Sequence, residues 1–185
     1  MIEQKTFPFA MPVVWQKPST VFDLNSSLAG WLLHTGSLTE RLQALTSQFG
    51  VELLGQRALA MDTSEQKLLP NNSQQKWQIR EVLLQGAARS DDQAKNWVFA
   101  RSVLPDELCR SEWSNLGNQP LGQRIFNDPS FVRSEFEIGK LLHHPITGEE
   151  LSSSHSCWAR RSKFTIGKHE LIVAEAFLPD APCYW

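Results

Sequence analysis

Three charged residues fall where the strand pattern around them asks for apolar ones. In the segment 170–178, Glu175 shares a face with Leu171, Val173 and Phe177, while the opposite face, Ile172, Ala174, Ala176 and Leu178, is apolar as well. In 96–104, Arg101 alternates with Trp97, Phe99 and Val103, and in 76–85 Arg80 alternates with Val82 and Leu84. An ion buried alone loses its hydration without recompense, so each of these groups needs a partner or a ligand. Two chemistries stay open. One is a structural ion pair, such as Glu175 with either arginine. The other is a dry cavity holding two cations and one carboxylate, which would select a small dianion, since guanidinium forks bind carboxylates bidentately and stay charged.

Other candidates for chemistry are weaker. His143 and His144, and His155 followed by Cys157, superficially resemble metal ligands but lack the spacing of a known site, so no metal is expected. Arg160 and Arg161, with Lys163, read as a solvated basic strand edge, with anion steering or support of the site as the other possibility. Cys109, Cys157 and Cys183 are an odd number without C-x-x-C spacing, which suits reduced thiols in a reducing compartment. Nucleophile-elbow, Walker A and dinucleotide fingerprints are absent from the sequence.

These residues must be positioned by the elements around them. Asn25 is placed to cap a helix through Leu33, with Gly36 ending it. Ser37 and Glu40 have the spacing of a capping box for a second helix, whose stripe is Leu38, Leu42 and Leu45. A strand from Val51 to about Ala60 follows, then a polar, turn-rich flap from Asp62 through Asn71, Asn72 and Ser73. The segments 76–85 and 96–104 flank a polar loop and predict an antiparallel pair. Pro105, Asp106 and Glu107 open a short helix, and 121–126 reads as another. Strands over 131–138, 157–166 and 170–178 complete the set, the last two joined by a tight turn at Gly167 and Lys168, with an extended loop over 139–156. The pattern predicts a single α+β domain over 1–185 with one mainly antiparallel sheet and helices gathered on a face.

Composition narrows the class of function. With 18 Lys plus Arg against 20 Asp plus Glu among 185 residues, the net charge of -2 argues against a protein that neutralises nucleic-acid phosphates. Hydrophobic residues at 41% and charged ones at 21% are those of an ordinary folded domain. Apolar runs fall far short of the roughly 20 residues that span a bilayer. The first residues lack a charged start followed by an apolar run, so a cytoplasmic location is expected.

Read in their local context, the same residues carry a family resemblance. Trp77 to Leu84, Trp97 to Pro105, Gln119 to Gly122, Phe136 to Gly139, Trp158 to Ser162 and Ala174 to Pro179 occur in an order that resembles chorismate pyruvate-lyase, from about residue 77 to the end. The resemblance implies a lyase that converts chorismate to 4-hydroxybenzoate and pyruvate at the entry to ubiquinone synthesis. It implies a six-stranded antiparallel sheet with helices on one face and helical flaps over an internal ligand cavity, without metal or organic cofactor, in a chain expected to be a monomer. Carried over residue by residue, it marks Arg80 and Glu175 as the main ligand-binding and catalytic pair and Arg101 as a second basic residue. Leu121 becomes a backbone contact, and Leu38 a further contact where better-known members have methionine. Retained ring contacts in 4-hydroxybenzoate would make product release slow. The other readings are a noncatalytic binding domain for a small aromatic acid, as in the effector half of some transcription regulators, and a structural or partner-binding protein with a chance ion pair.

Overall fold

The computed structural model describes residues 6–22, 24–69, 75–88, 93–111, 113–114, 116–151 and 157–185. Local caps set the helices. Asn25 Oδ1 accepts from the Leu28 N–H at 2.8 Å to start α1 (Ser26–Leu32), whose Leu28, Trp31 and Leu32 form a buried i, i+3, i+4 stripe. Ser37 Oγ accepts from the Glu40 N–H at the head of α2 (Leu38–Gln43), which buries Leu38 and Leu42. The short α4 (Asp106–Ser111) and α5 (Leu121–Asn127) follow as the sequence predicts.

The sheet has seven strands where six were expected: β1 (Gly50–Ala58), β2 (Trp77–Gly86), β3 (Lys95–Pro105), β4 (Val132–Arg133), β5 (Glu137–Lys140), β6 (Trp158–Ile166) and β7 (His169–Phe177). Neighbouring strands are antiparallel in the order β1-β2-β3-β7-β6-β4, with β5 beside β4 on the same flank of β6. The extra strand arises because 131–138 is not continuous. The Ser134 N–H still donates to the Lys163 carbonyl at 2.8 Å, but Ser134 Oγ accepts the Lys163 N–H in place of a strand carbonyl, and the ladder breaks there. The β6–β7 hairpin turns on Gly167 and Lys168, with Gly167 at φ +53°, a conformation that glycine adopts without penalty.

Both sheet faces are covered. On one, here the helical face, α1, α2, α4 and α5 pack on Leu84, Ala100, Leu104, Phe164, Leu171 and Phe177. On the other, the arm face, the N-terminal segment lays Phe9 and Met11 over Leu83, Phe99, Ala159 and Ala176. The expected flap after Asp62 is in part a helix, α3 (Thr63–Gln66), closed by a capping box between Asp62 and Glu65, and it lies on the arm face rather than with the other helices. The flap's Asn71, Asn72 and Ser73 lie outside the described residues.

Cys109, Cys157 and Cys183 are free and buried. Burial pushes their thiols up to about 11, about 11 and about 12 respectively. Because the thiolate is the reactive form, an aromatic disulfide reagent at about pH 8 should label almost none of the three in the native protein and all of them after denaturation. Rapid labelling of the native protein would contradict this packing.

Candidate active site

Register decides which of the predicted charges meet. Arg80 of β2 lies level with Ser102 of β3, Val173 of β7 and Ser162 of β6, and this row points to the helical face. Val82, Ala100, Glu175 and Arg160 form the adjacent row on the same face. Arg80 and Glu175 therefore flank a floor of small residues, two strands and two residues apart, about 12 Å between backbones from the spacing and rise of strands. Arg101 does not join them. It is level with Glu81 and Ala174 on the arm face, so the expected meeting of two guanidiniums with Glu175 is not what the chain forms.

Each charge has a different environment. Arg101 is the structural case. Its Nε donates to Glu65 Oε1 at 2.7 Å and its Nη1 to Glu81 Oε1 at 2.6 Å, all three side chains being buried. Glu81 also accepts the Phe9 N–H at 2.8 Å, which fastens the N-terminal segment to the sheet. Burial raises the Glu81 carboxyl against the pull of the Phe9 and Arg101 hydrogen bonds. Burial likewise works against the Arg101 charge, but the two glutamates, Glu65 first, more than offset it and the net shift is upward.

Arg80 is 2% exposed and has no carboxylate partner among the described residues. Its Nη1 donates to Gln56 Oε1 at 3.2 Å and its Nη2 to the Gln119 carbonyl at 3.1 Å. Gln56 donates in turn to Gln78, and Gln78 to Asp106. This chain of neutral amides orients the guanidinium without cancelling its charge. Desolvation pushes Arg80 down to about 10, so it remains a cation near neutrality, at a cost that a bound anion would repay.

Glu175 is paired, but with a residue that the sequence analysis placed at a solvated edge. Arg160 and Arg161 lie within the sheet and are buried. Arg160 Nε donates to Glu175 Oε2 at 2.6 Å. Its Nη1 reaches the carbonyls of Trp31, Leu32 and His34 at 3.1, 3.4 and 2.9 Å, at and just past the end of α1. One guanidinium thus ties Glu175 to the helical cover. Arg161 points the other way, to Glu137 at 2.8 Å and to Ser64. The hairpin register carries the signal that finds the Arg160 pairing: Arg160 stands seven residues before Gly167 and Glu175 seven after Lys168.

Leu121 and Leu38 begin α5 and α2, whose first-turn N–H groups have no carbonyl within their own helices. The two helices approach closely above the floor: a Cβ on Gly122 would meet Thr39 Oγ1 at 3.1 Å. Beneath this cover a recess of about 40 Å³ is lined by Gly122, Arg133, Phe136, Arg160, Ser162 and Glu175, among others. Arg80 lies further along the row of Ser162 and Val173, beyond Ser102. Arg133 and Ser162 are lining residues that the sequence pattern did not single out. Among the described residues no group of three or more His, Cys, Asp and Glu could hold a metal ion, and His155 lies outside them.

The two arginines should respond oppositely to substitution. Arg101→Met leaves Glu65 and Glu81 buried without their cation and should cost about 3–5 kcal/mol, a fall in melting temperature of roughly 6–20 °C for a chain of this size. Arg80→Met removes an uncompensated ion and should change stability by no more than about 1 kcal/mol. Calorimetry that ranks them the other way would contradict the assignment.

A family model described as chorismate lyase matches residues 10–185. Similar curated proteins include a probable chorismate pyruvate-lyase of Pseudoalteromonas atlantica, 41% identical over 98% of this chain and 96% of its own length. Another, of Idiomarina loihiensis, is 36% identical over 96% of this chain and 91% of its own length. A third, of Shewanella loihica, is 35% identical over 97% of this chain and 95% of its own length.

Proposed function

The chain belongs to the chorismate lyase family, and from that premise we propose where on the sheet its reaction takes place and which side chains carry it. It is a lyase that converts chorismate to 4-hydroxybenzoate and pyruvate, which in this family feeds ubiquinone synthesis. No helix among the described residues is long and apolar enough to cross a membrane. The site is the helical face between Arg80 and Glu175.

The observation that carries this reading is the buried, carboxylate-free guanidinium of Arg80 on the same face as Glu175. Chorismate has a ring carboxylate at one end of its six-membered ring and a hydroxyl at the other. The two side chains rise from the same face with their backbones about 12 Å apart, so their head groups can reach opposite ends of such a ring lying above the floor between them. Arg80 takes the ring carboxylate, with the first-turn N–H groups of Leu38 and Leu121 as further donors. Glu175 accepts the ring hydroxyl. Arg160 holds the Glu175 carboxylate in place and aimed, and so acts as a positioning residue.

Breaking the ether carbon–oxygen bond and losing the hydrogen on the hydroxyl-bearing carbon makes the ring aromatic, so the driving force belongs to the substrate. The protein supplies confinement in the reactive conformer and fixed positive charge near the departing oxygen. The hydrogen leaves to Glu175 or passes directly to the enolpyruvyl group; both routes use the same contacts. A recess of about 40 Å³ has room for a water or so rather than a ring. Entry and exit therefore require α2 and α5 to part over Gly122, and release of 4-hydroxybenzoate limits turnover.

Chorismate mixed with the protein in the presence of EDTA should give a burst of 4-hydroxybenzoate followed by slower steady turnover. Arg80→Met should lower kcat/KM by about 100-fold or more and weaken product binding, as expected when a charge-assisted bidentate contact is lost. Glu175→Gln should lower kcat by about 10- to 1,000-fold with the fold intact. Stoichiometric binding without turnover would instead indicate a binding domain, and full activity in both variants would refute the site.

A further inference from the structure

Chorismate carries a second carboxylate, on the enolpyruvyl group, which the Arg80 contact does not satisfy. The ether joins the ring next to the hydroxyl-bearing carbon. If Glu175 takes the hydroxyl, the second carboxylate must lie at the Glu175 end of the site, away from Arg80. Arg101 is excluded from this role because it faces the other side of the sheet and is bound to two glutamates.

Three arginines are among the residues that line the recess at that end, one of them, Arg161, with its guanidinium turned to the arm face. Arg160 is committed to Glu175 and three carbonyls, and Arg161 to Glu137 and Ser64. Arg133 is the third. It stands on β4 opposite Phe164 of β6, on the helical face, and has no carboxylate within ion-pair distance among the described residues. Its guanidinium lies 4.3 Å from the centre of the Phe136 ring. Contact with a ring face steadies the plane of the cation and leaves its N–H edge available. Desolvation lowers Arg133 from its usual range, the nearby Arg160 lowers it further, and Glu175 opposes both, which places the group in the same electrostatic neighbourhood as the site.

A second observation marks the same spot. Ser162 lies between Arg160 and Phe164 along β6 and lines the recess. Its Oγ is the one buried side-chain polar atom among the described residues without a hydrogen-bond partner. Buried hydroxyls almost always have partners, and an unpaired one in a cavity wall points to a ligand.

We propose that Arg133, assisted by the Ser162 hydroxyl, forms the subsite for the enolpyruvyl carboxylate and thereby distinguishes substrate from product. The inference rests on the lyase reading above and adds to it the residue that recognises the half of the substrate which leaves. Because 4-hydroxybenzoate lacks that carboxylate, Arg133 should matter for chorismate and not for product.

The test compares kcat/KM for chorismate with the Kd of 4-hydroxybenzoate in Arg133→Met, Arg133→Lys and Ser162→Ala. Arg133→Met should lower kcat/KM about 10- to 100-fold, the range expected for a hydrogen-bonded charge pair, while the product Kd stays within about twofold. Arg133→Lys should recover part of the loss, and Ser162→Ala should lose about 10-fold on the same side only. Unchanged product binding also reports an intact site in each variant. A kcat/KM within about twofold of the parent in Arg133→Met, or parallel losses for substrate and product, would overturn the subsite and leave the lyase assignment standing. An unsubstituted protein without turnover would overturn the reading beneath it and the subsite together.

Discussion

A buried guanidinium with no carboxylate partner among the described residues is the constraint around which this molecule is arranged. Arg80 is 2% exposed, faces neutral partners, and retains its charge at a desolvation cost that the folded chain does not itself repay. Proteins tolerate such an ion where something else will complete it. The amide chain through Gln56 and Gln78 fixes its direction. A small carboxylate is the ligand proposed to answer this arrangement.

The sheet keeps this unsatisfied charge apart from the satisfied ones. Strand alternation sends Arg80, Glu175 and Arg160 to one face and Arg101, Glu81 and Arg161 to the other. On the arm face the charges neutralise one another and fasten the N-terminal segment and α3. On the helical face Arg160 ties Glu175 to the end of α1, so the acid is positioned from the same sheet that bears Arg80. The small residues Ala100, Ser102, Ser162 and Val173 leave the space between them. Two sets of buried ion pairs thus coexist on one sheet because the pleat sends successive residues to opposite faces.

Much of the fold could be read locally. The caps at Asn25 and Ser37, the turn at Gly167 and Lys168, and the openings of α4 and α5 are short-range signals, and the structure forms them there. The break between β4 and β5 was not visible, because alternation runs on through 131–138 while the side chain of Ser134 takes over the pairing. The helix α3 was hidden by its length, although Asp62 and Glu65 have capping-box spacing. For the site, alternation shows which residues share a face within one strand, but only register shows which faces of neighbouring strands coincide. The loop between β2 and β3 is too long to set that register by counting, and Arg101 was placed with Arg80 for this reason. The two-residue β6–β7 turn does set it, and Arg160 opposite Glu175 follows from it. Arg133 and Ser162 depend on β4 and β6 meeting, which no local pattern announces.

Titration calorimetry with 4-hydroxybenzoate and with its uncharged amide isolates the role of Arg80 from every other contact. The account predicts that the unsubstituted protein binds the carboxylate at least about 100-fold more tightly than the amide, and that Arg80→Met brings the two to within a few-fold of each other. Equal affinity for acid and amide in the unsubstituted protein would contradict it.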